Sequence, residues 1–154
     1  MKMRSIADYL SGNPFFAGLD AASVSELAGC AINMHIRPGE YLFQAGQPAE
    51  HFYVITSGRI ALELFSPASG PHVLDSAGPG EVLDWPWLIP PHCWFFDGRA
   101  VESASVISLD AACLRGKCEA DPRLGYELVQ RAAQTMSHRL QATRARLLDM
   151  YGNP

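Results

Sequence analysis

From Ala31 onward the apolar residues of this chain recur at every second position. Ile32, Met34 and Ile36 alternate with Asn33 and His35, and further on Ile60, Leu62 and Leu64 alternate with Ala61 and Glu63. A period of two places one set of side chains on a single face of a strand. Turn sequences break the pattern at RPGE, QAGQ, TSGR, PASGP and AGPGE, each with a glycine able to take backbone angles that other residues reach only at a cost. Short strands with turns this frequent predict an antiparallel sandwich or roll. Before them, residues 1–30 carry short helical patterns: NPFF starts a turn, and Asp20 caps AASVSELAG, in which Val24, Leu27 and Ala28 recur at helical spacing. These segments read as a cover for the strands.

The last block starts with Asp121 as N-cap and Pro122 at the first helical position, and it stops near Gly152. Such a helix of about 28 residues spans roughly 42 Å. Tyr126, Val129, Ala133, Met136, Leu140, Thr143, Leu147 and Met150 follow one another at alternating three- and four-residue steps, the seam of a two-stranded coiled coil. The first half of this stripe is expected to pack on the chain's own strands. The second half, for which no chain remains, is expected to meet a second copy across a twofold axis.

Composition narrows the class. With 154 residues, 48% apolar and 18% charged, the chain fits one domain with one core. A net charge of −4 leaves no basic excess to release counterions from a nucleic-acid backbone. The first residues, MKMRSIADYL, are interrupted by Asp8 before an apolar run forms, and no stretch is long enough to span a bilayer. A cytoplasmic protein without membrane contact is the expectation. Cys30, Cys93, Cys113 and Cys118 are too few and too irregular for a disulfide framework, so reduced thiols are expected, and Cys113 and Cys118 lie about 140° apart around a helix. The five histidines include no His-x-His pair, and neither HExxH, a P-loop nor G-x-S-x-G occurs. No metal, no cofactor and no catalytic activity are expected.

The run YLFQAGQPAEHFYVITSGRIALEL (residues 41–64), with RPGE before it and GPGEVL after it, closely resembles the cyclic-nucleotide-binding domain of the cyclic AMP receptor protein superfamily. The resemblance covers nearly the whole chain. It implies a mainly β fold with helices: a helical cap over residues 1–30, an eight-stranded antiparallel, jelly-roll-like β-roll over 31–110, and C-terminal helices over 111–152, with a short helix around 111–118 before the long dimerisation helix. Val129, Ala133, Met136, Leu140, Thr143, Leu147 and Met150 would form the homodimer contact. RLQAT (139–143) would deliver Thr143 to a nucleotide base across the dimer. Transcription factors of the superfamily carry a helix-turn-helix domain after this helix, whereas the sequence stops at Pro154. Neither that domain nor direct DNA binding is expected.

GEVLDWPWLIPPHCWFFDGRA (80–100) holds all three tryptophans and falls on the family's phosphate-binding cassette. There a glycine and a glutamate open a short helix, and an arginine beside a small hydroxyl residue follows. Helix N–H groups and the guanidinium clamp the cyclic phosphate, and the glutamate accepts from the ribose. This sequence has Asp84 and Trp85 at the first pair, and Trp94 and Phe95, or Phe95 and Phe96, at the second. Asp84 would cap the cassette helix in the anion's place. Its repulsion of a phosphate at about 4 Å would cost roughly 4 kcal/mol, and the missing arginine contact roughly 1.5–3 kcal/mol more.

The sequence therefore predicts a regulatory or sensor module that does not bind cyclic nucleotides in the usual way. It senses another small ligand, with Trp85, Trp87, Trp94, Phe95 and Phe96 as walls and Asp84, Arg99 and Thr143 as polar contacts, or it acts by protein contact. Two alternatives stand beside this one: a genuine cyclic AMP or cyclic GMP receptor using Arg99 and Thr143, and a ligand-free interaction protein whose rings fill the pocket.

Overall fold

The computed structural model describes residues 5–83 and 85–152. Two four-stranded antiparallel sheets form the roll. One runs in the order β1 (Ala31–Ile36), β8 (Ala104–Asp110), β3 (His51–Ser57) and β6 (Val82–Leu83). The other runs β2 (Tyr41–Phe43), β7 (Asp97–Ala100), β4 (Ile60–Ser66) and β5 (Gly70–Ala77). The eight antiparallel strands, the N-terminal helices and the long final helix are those the sequence predicts.

The sheet containing β3 is covered on both faces, which is why its central strand reads as the unbroken apolar run FYVI rather than as an alternation. Phe52 and Val54 point with Ile107 and Leu109 toward the helices, whereas Tyr53, Ile55 and Val106 point toward the second sheet. Two cores result. One joins the first sheet to α1 (Ile6–Ser11), the 3-10 turn Pro14–Phe16, α2 (Ala21–Ala28), α3 (Ala111–Ala120) and the start of α4 (Pro122–Gly152). The other fills the space between the sheets.

Local chemistry sets the helix starts. Asp20, Asp110 and Asp121 each accept a hydrogen bond from the backbone N–H three residues on, at 2.7, 2.8 and 3.4 Å, satisfying donors that no helical turn precedes. At the β3–β4 turn, Gly58 has φ +82° and a Cβ there would lie 2.4 Å from the Ser103 carbonyl oxygen and 2.6 Å from Ala104 Cα. Leu64 departs from the inward pattern. β4 pairs with β7 only as far as Glu63↔Asp97, and beyond that the β4–β5 hairpin projects from the roll, leaving Leu64 and Phe65 43% and 66% exposed.

Two expectations are corrected. Cys30 and Cys113 are disulfide-bonded, with Cα atoms 5.7 Å apart across 83 residues of sequence, while Cys93 and Cys118 are free. Cysteine spacing along the chain could not reveal a pair that forms only when the start of β1 and the first turn of α3 meet. The first half of the α4 stripe also does not pack on the strands. Leu124, Leu128 and Ala132 are the buried residues of α4, while Tyr126 and Val129 are 66% and 48% exposed. The helix lies on the roll through a neighbouring face, and Arg139 and Arg146 fasten it by donating to the carbonyls of Val82 (2.9 Å) and Leu74 (2.7 Å).

Candidate functional site

The cassette segment follows β6 as turns rather than as an α-helix. Trp85 O accepts from the N–H groups of Leu88 (2.8 Å) and Ile89 (3.3 Å), and Ile89 O accepts from His92 N (3.0 Å). Two prolines follow Ile89 and supply no N–H with which a helix could continue. Asp84, expected as the cap, lies outside the described residues. The segment then docks on the β2–β3 connection: Trp94 N donates to Gln47 O (2.9 Å), Gly46 N to Trp94 O (2.7 Å) and Ala49 N to His92 O (2.7 Å).

These anchors send the aromatic residues in different directions. Trp87 is 1% exposed and enters the helical core, its ring 5.4 Å from Phe52, and its carbonyl accepts from Arg115 Nη1 of α3 at 2.7 Å. Trp94 turns the other way, between the sheets. Its ring stacks on Phe43 with centroids 3.6 Å apart and planes at 9°, with Tyr53 and Phe96 at 6.1 and 6.2 Å. Burial pushes the Tyr53 hydroxyl up to about 12, so this phenol stays neutral beside the rings. Trp85 is half-buried and lines a small recess with Phe15, Phe52, Val82, Ala132 and Thr135. Phe95 is 59% exposed.

The polar candidates are equally dispersed. Gly98 and Ala100 of β7 face inward, so Arg99 projects from the opposite face, where Nε and Nη2 donate to Glu63 Oε1 (2.7 Å) and Oε2 (3.1 Å). Glu63 is 3% exposed, and a carboxylate that deep requires such a two-pronged partner. Thr143 stands on the exposed part of α4 and donates to Arg139 O at 2.8 Å.

Sequence reasoning did not single out Phe43, Tyr53, Glu63 or Gly98 as site residues. Gly98 carries a legible signal, a lone glycine in a strand pattern that marks close approach: a Cβ there would meet the Phe43 ring at 2.6 Å. Outside the roll, a cleft of about 750 Å³ opens between the 3-10 turn, the β5–β6 connection and α4, with Phe15, Val82, Gln130, Gln134, His138 and Arg139 among its walls. Among the described residues, no group of three or more histidine, cysteine or acidic side chains is placed to hold a metal ion, and no helix is long and apolar enough to cross a membrane.

An eight-stranded roll capped by helices, with a glycine-marked loop after β5 and a long helix at its C-terminal side, is the architecture of the cyclic-nucleotide-binding domain fold. The model of the cyclic nucleotide-binding domain matches residues 33–121, and the chain belongs to that family. A putative cyclic nucleotide-binding protein from Geobacter metallireducens superposes with a TM-score of 0.80 at 24% identity, over 90% of this chain and 99% of its own. A cyclic nucleotide-binding domain from Methylobacillus flagellatus gives the same TM-score at 17% identity, over 95% and 82%. In sequence, the CRP-like cAMP-activated global transcriptional regulator of Mycobacterium tuberculosis is 20% identical over 135 residues, 88% of this chain and 58% of the relative. Human cGMP-dependent protein kinase 2 is 32% identical over 60 residues, 39% of this chain and 8% of the kinase. The chain thus spans less than two thirds of these curated relatives.

Proposed function

We propose that this domain is a regulatory module, not an enzyme, whose roll is closed by its own side chains and which therefore works without a cyclic nucleotide bound between the sheets. The observation that carries this reading is the Trp94–Phe43 stack. Where the family's arginine would clamp a phosphate, an indole or a phenyl ring stands instead, and the indole is buried against three other aromatic residues. The alternative cation, Arg99, is committed to Glu63 on the outer face of its strand. An anion placed among the rings would lose its hydration without gaining a countercharge, a cost of several kcal/mol. Calorimetric titration with cyclic AMP and cyclic GMP should give no saturable heat. Saturable binding at micromolar concentration would overturn the reading.

Output passes through α4. Val129, Leu140, Leu147 and Met150 are 48–78% exposed and continue one stripe, while the face carrying Leu124, Leu128 and Ala132 is used within the chain. We read the stripe as a helix-to-helix homodimer contact, since a row of exposed apolar side chains at coiled-coil spacing is stabilised by burial against its own copy. Sedimentation should give a dimer, and the double variant Leu140→Asp/Leu147→Asp should sediment as a monomer with an unchanged far-ultraviolet spectrum. A wild-type monomer at the highest attainable concentration would refute the contact.

The cleft against α4 supports a second reading, a sensor for another small molecule, because its volume suits one and its walls touch the output helix. A metabolite panel followed by tryptophan emission separates the two. A saturable response weakened by Gln134→Ala or His138→Ala would favour the sensor, and silence the ligand-free module.

A further inference from the structure

We propose that Cys30 and Cys113 form a thiol–disulfide site at which a dithiol reductant releases α3 from the helical cap, giving the module an input that does not need the roll. Cys30 sits between α2 and β1 and is 8% exposed. Cys113 lies in the first turn of α3 and is half-buried. The bond therefore joins α3 to the cap at the end where α3 leaves β8.

The position matters because α3 meets every part that could carry a signal. Arg115 donates to Trp87 O in the cassette, Lys117 pairs with Glu26 of α2 at 2.6 Å, and Cys118 packs against Gly125 of α4, where an added Cβ would come within 3.2 Å. Of the ties to the cap, the Lys117–Glu26 pair is solvent-exposed on both sides and weak on that account. Reducing the disulfide leaves α3 held to the cap by side-chain packing and, at its N-terminal end, by the hydrogen bond that Asp110 N donates to Cys30 O at 2.9 Å, while its contacts to the cassette and α4 persist.

The exchange is balanced. A thiolate of the dithiol attacks Sγ of Cys113, the less buried of the two residues, forming a mixed disulfide and expelling Cys30 as thiolate. The second thiol of the reductant then displaces Cys113 and closes the reductant's own disulfide. Two electrons pass to the protein, and the two protons of the dithiol end on Cys30 and Cys113. Cys118 is a poor competitor, because burial, with Asp121 and Glu119 nearby, pushes its thiol upward and keeps it protonated at neutral pH.

The test uses the full chain, with dithiothreitol as the probe. Alkylation of protein purified without reductant and unfolded in denaturant, followed by mass spectrometry, should modify Cys93 and Cys118 alone, and prior reduction should add Cys30 and Cys113. Amide exchange in residues 111–120 should then quicken by about tenfold or more, with strands β3 and β8 unchanged and with a shift in tryptophan emission relayed through Arg115. The Cys30→Ala/Cys113→Ala variant should exchange as the reduced protein does, with or without dithiothreitol. Four reactive cysteines before reduction would overturn the proposal. So would exchange in α3 that ignores reduction, or a loss of protection spread over all strands alike, which would mark a structural staple.

Discussion

Trp94→Ala should destabilise the domain by about 3–5 kcal/mol, the range for removing a large aromatic side chain from a packed core. The indole is 3% exposed, and its loss leaves Phe43 without its stacking partner and Tyr53 and Phe96 facing a void. Hydrogen bonds on both sides hold the backbone of residue 94 to the β2–β3 connection, so the segment cannot collapse to fill the gap, and incomplete relaxation puts the cost toward the upper end. For a chain of this size the melting temperature should fall by roughly 6–20 °C. Trp94→Phe, which keeps a ring against Phe43, should lose clearly less. If Trp94→Ala melts within a degree or two of wild type, the stack does not fill the roll, and the ligand-free reading loses its main support.

Gly58→Ala should be comparably severe for a different reason. Gly58 has φ +82°, which costs an L residue about 1–2 kcal/mol. Its new Cβ would also overlap the Ser103 carbonyl and Ala104. Those atoms are backbone at the start of β8, the strand paired with both β1 and β3, so relief requires moving the sheet, and overpacking adds about 1–3 kcal/mol or more. Gly39→Ala is the control: φ is +85° but nothing lies within 4 Å of the added atom, and only the conformational cost remains. Chemical denaturation of both variants checks the pair. Equal losses would show that backbone strain alone accounts for Gly58.

In the proposed module the thiol–disulfide input acts at α3 and the output leaves through α4. Trp87 couples the cassette to α3 through Arg115, and the disulfide couples α3 to the cap. A cassette without a ligand can still serve as a rigid strut in such a scheme, because packed elements shift between discrete arrangements rather than deforming continuously.

Much of this architecture was legible in the chain itself. Period-two alternation, five glycine turns and the Asp121–Pro122 helix start determine which segments become strands, turns and helix, because each is a local matter of side-chain period and backbone angle. The substitution of rings for an arginine was likewise plain from the residues at 94–96. What the rings do was not. Strand and turn signals cannot say that Trp87 and Trp94, seven residues apart, enter separate cores, since that depends on docking of the segment against Gln47 and Gly46. The same holds for Arg99 meeting Glu63 across 36 residues and Cys30 meeting Cys113 across 83. Sequence period sets the face on which a side chain stands. Only the closing of one sheet over another, and of the helices over both, decides what stands opposite it.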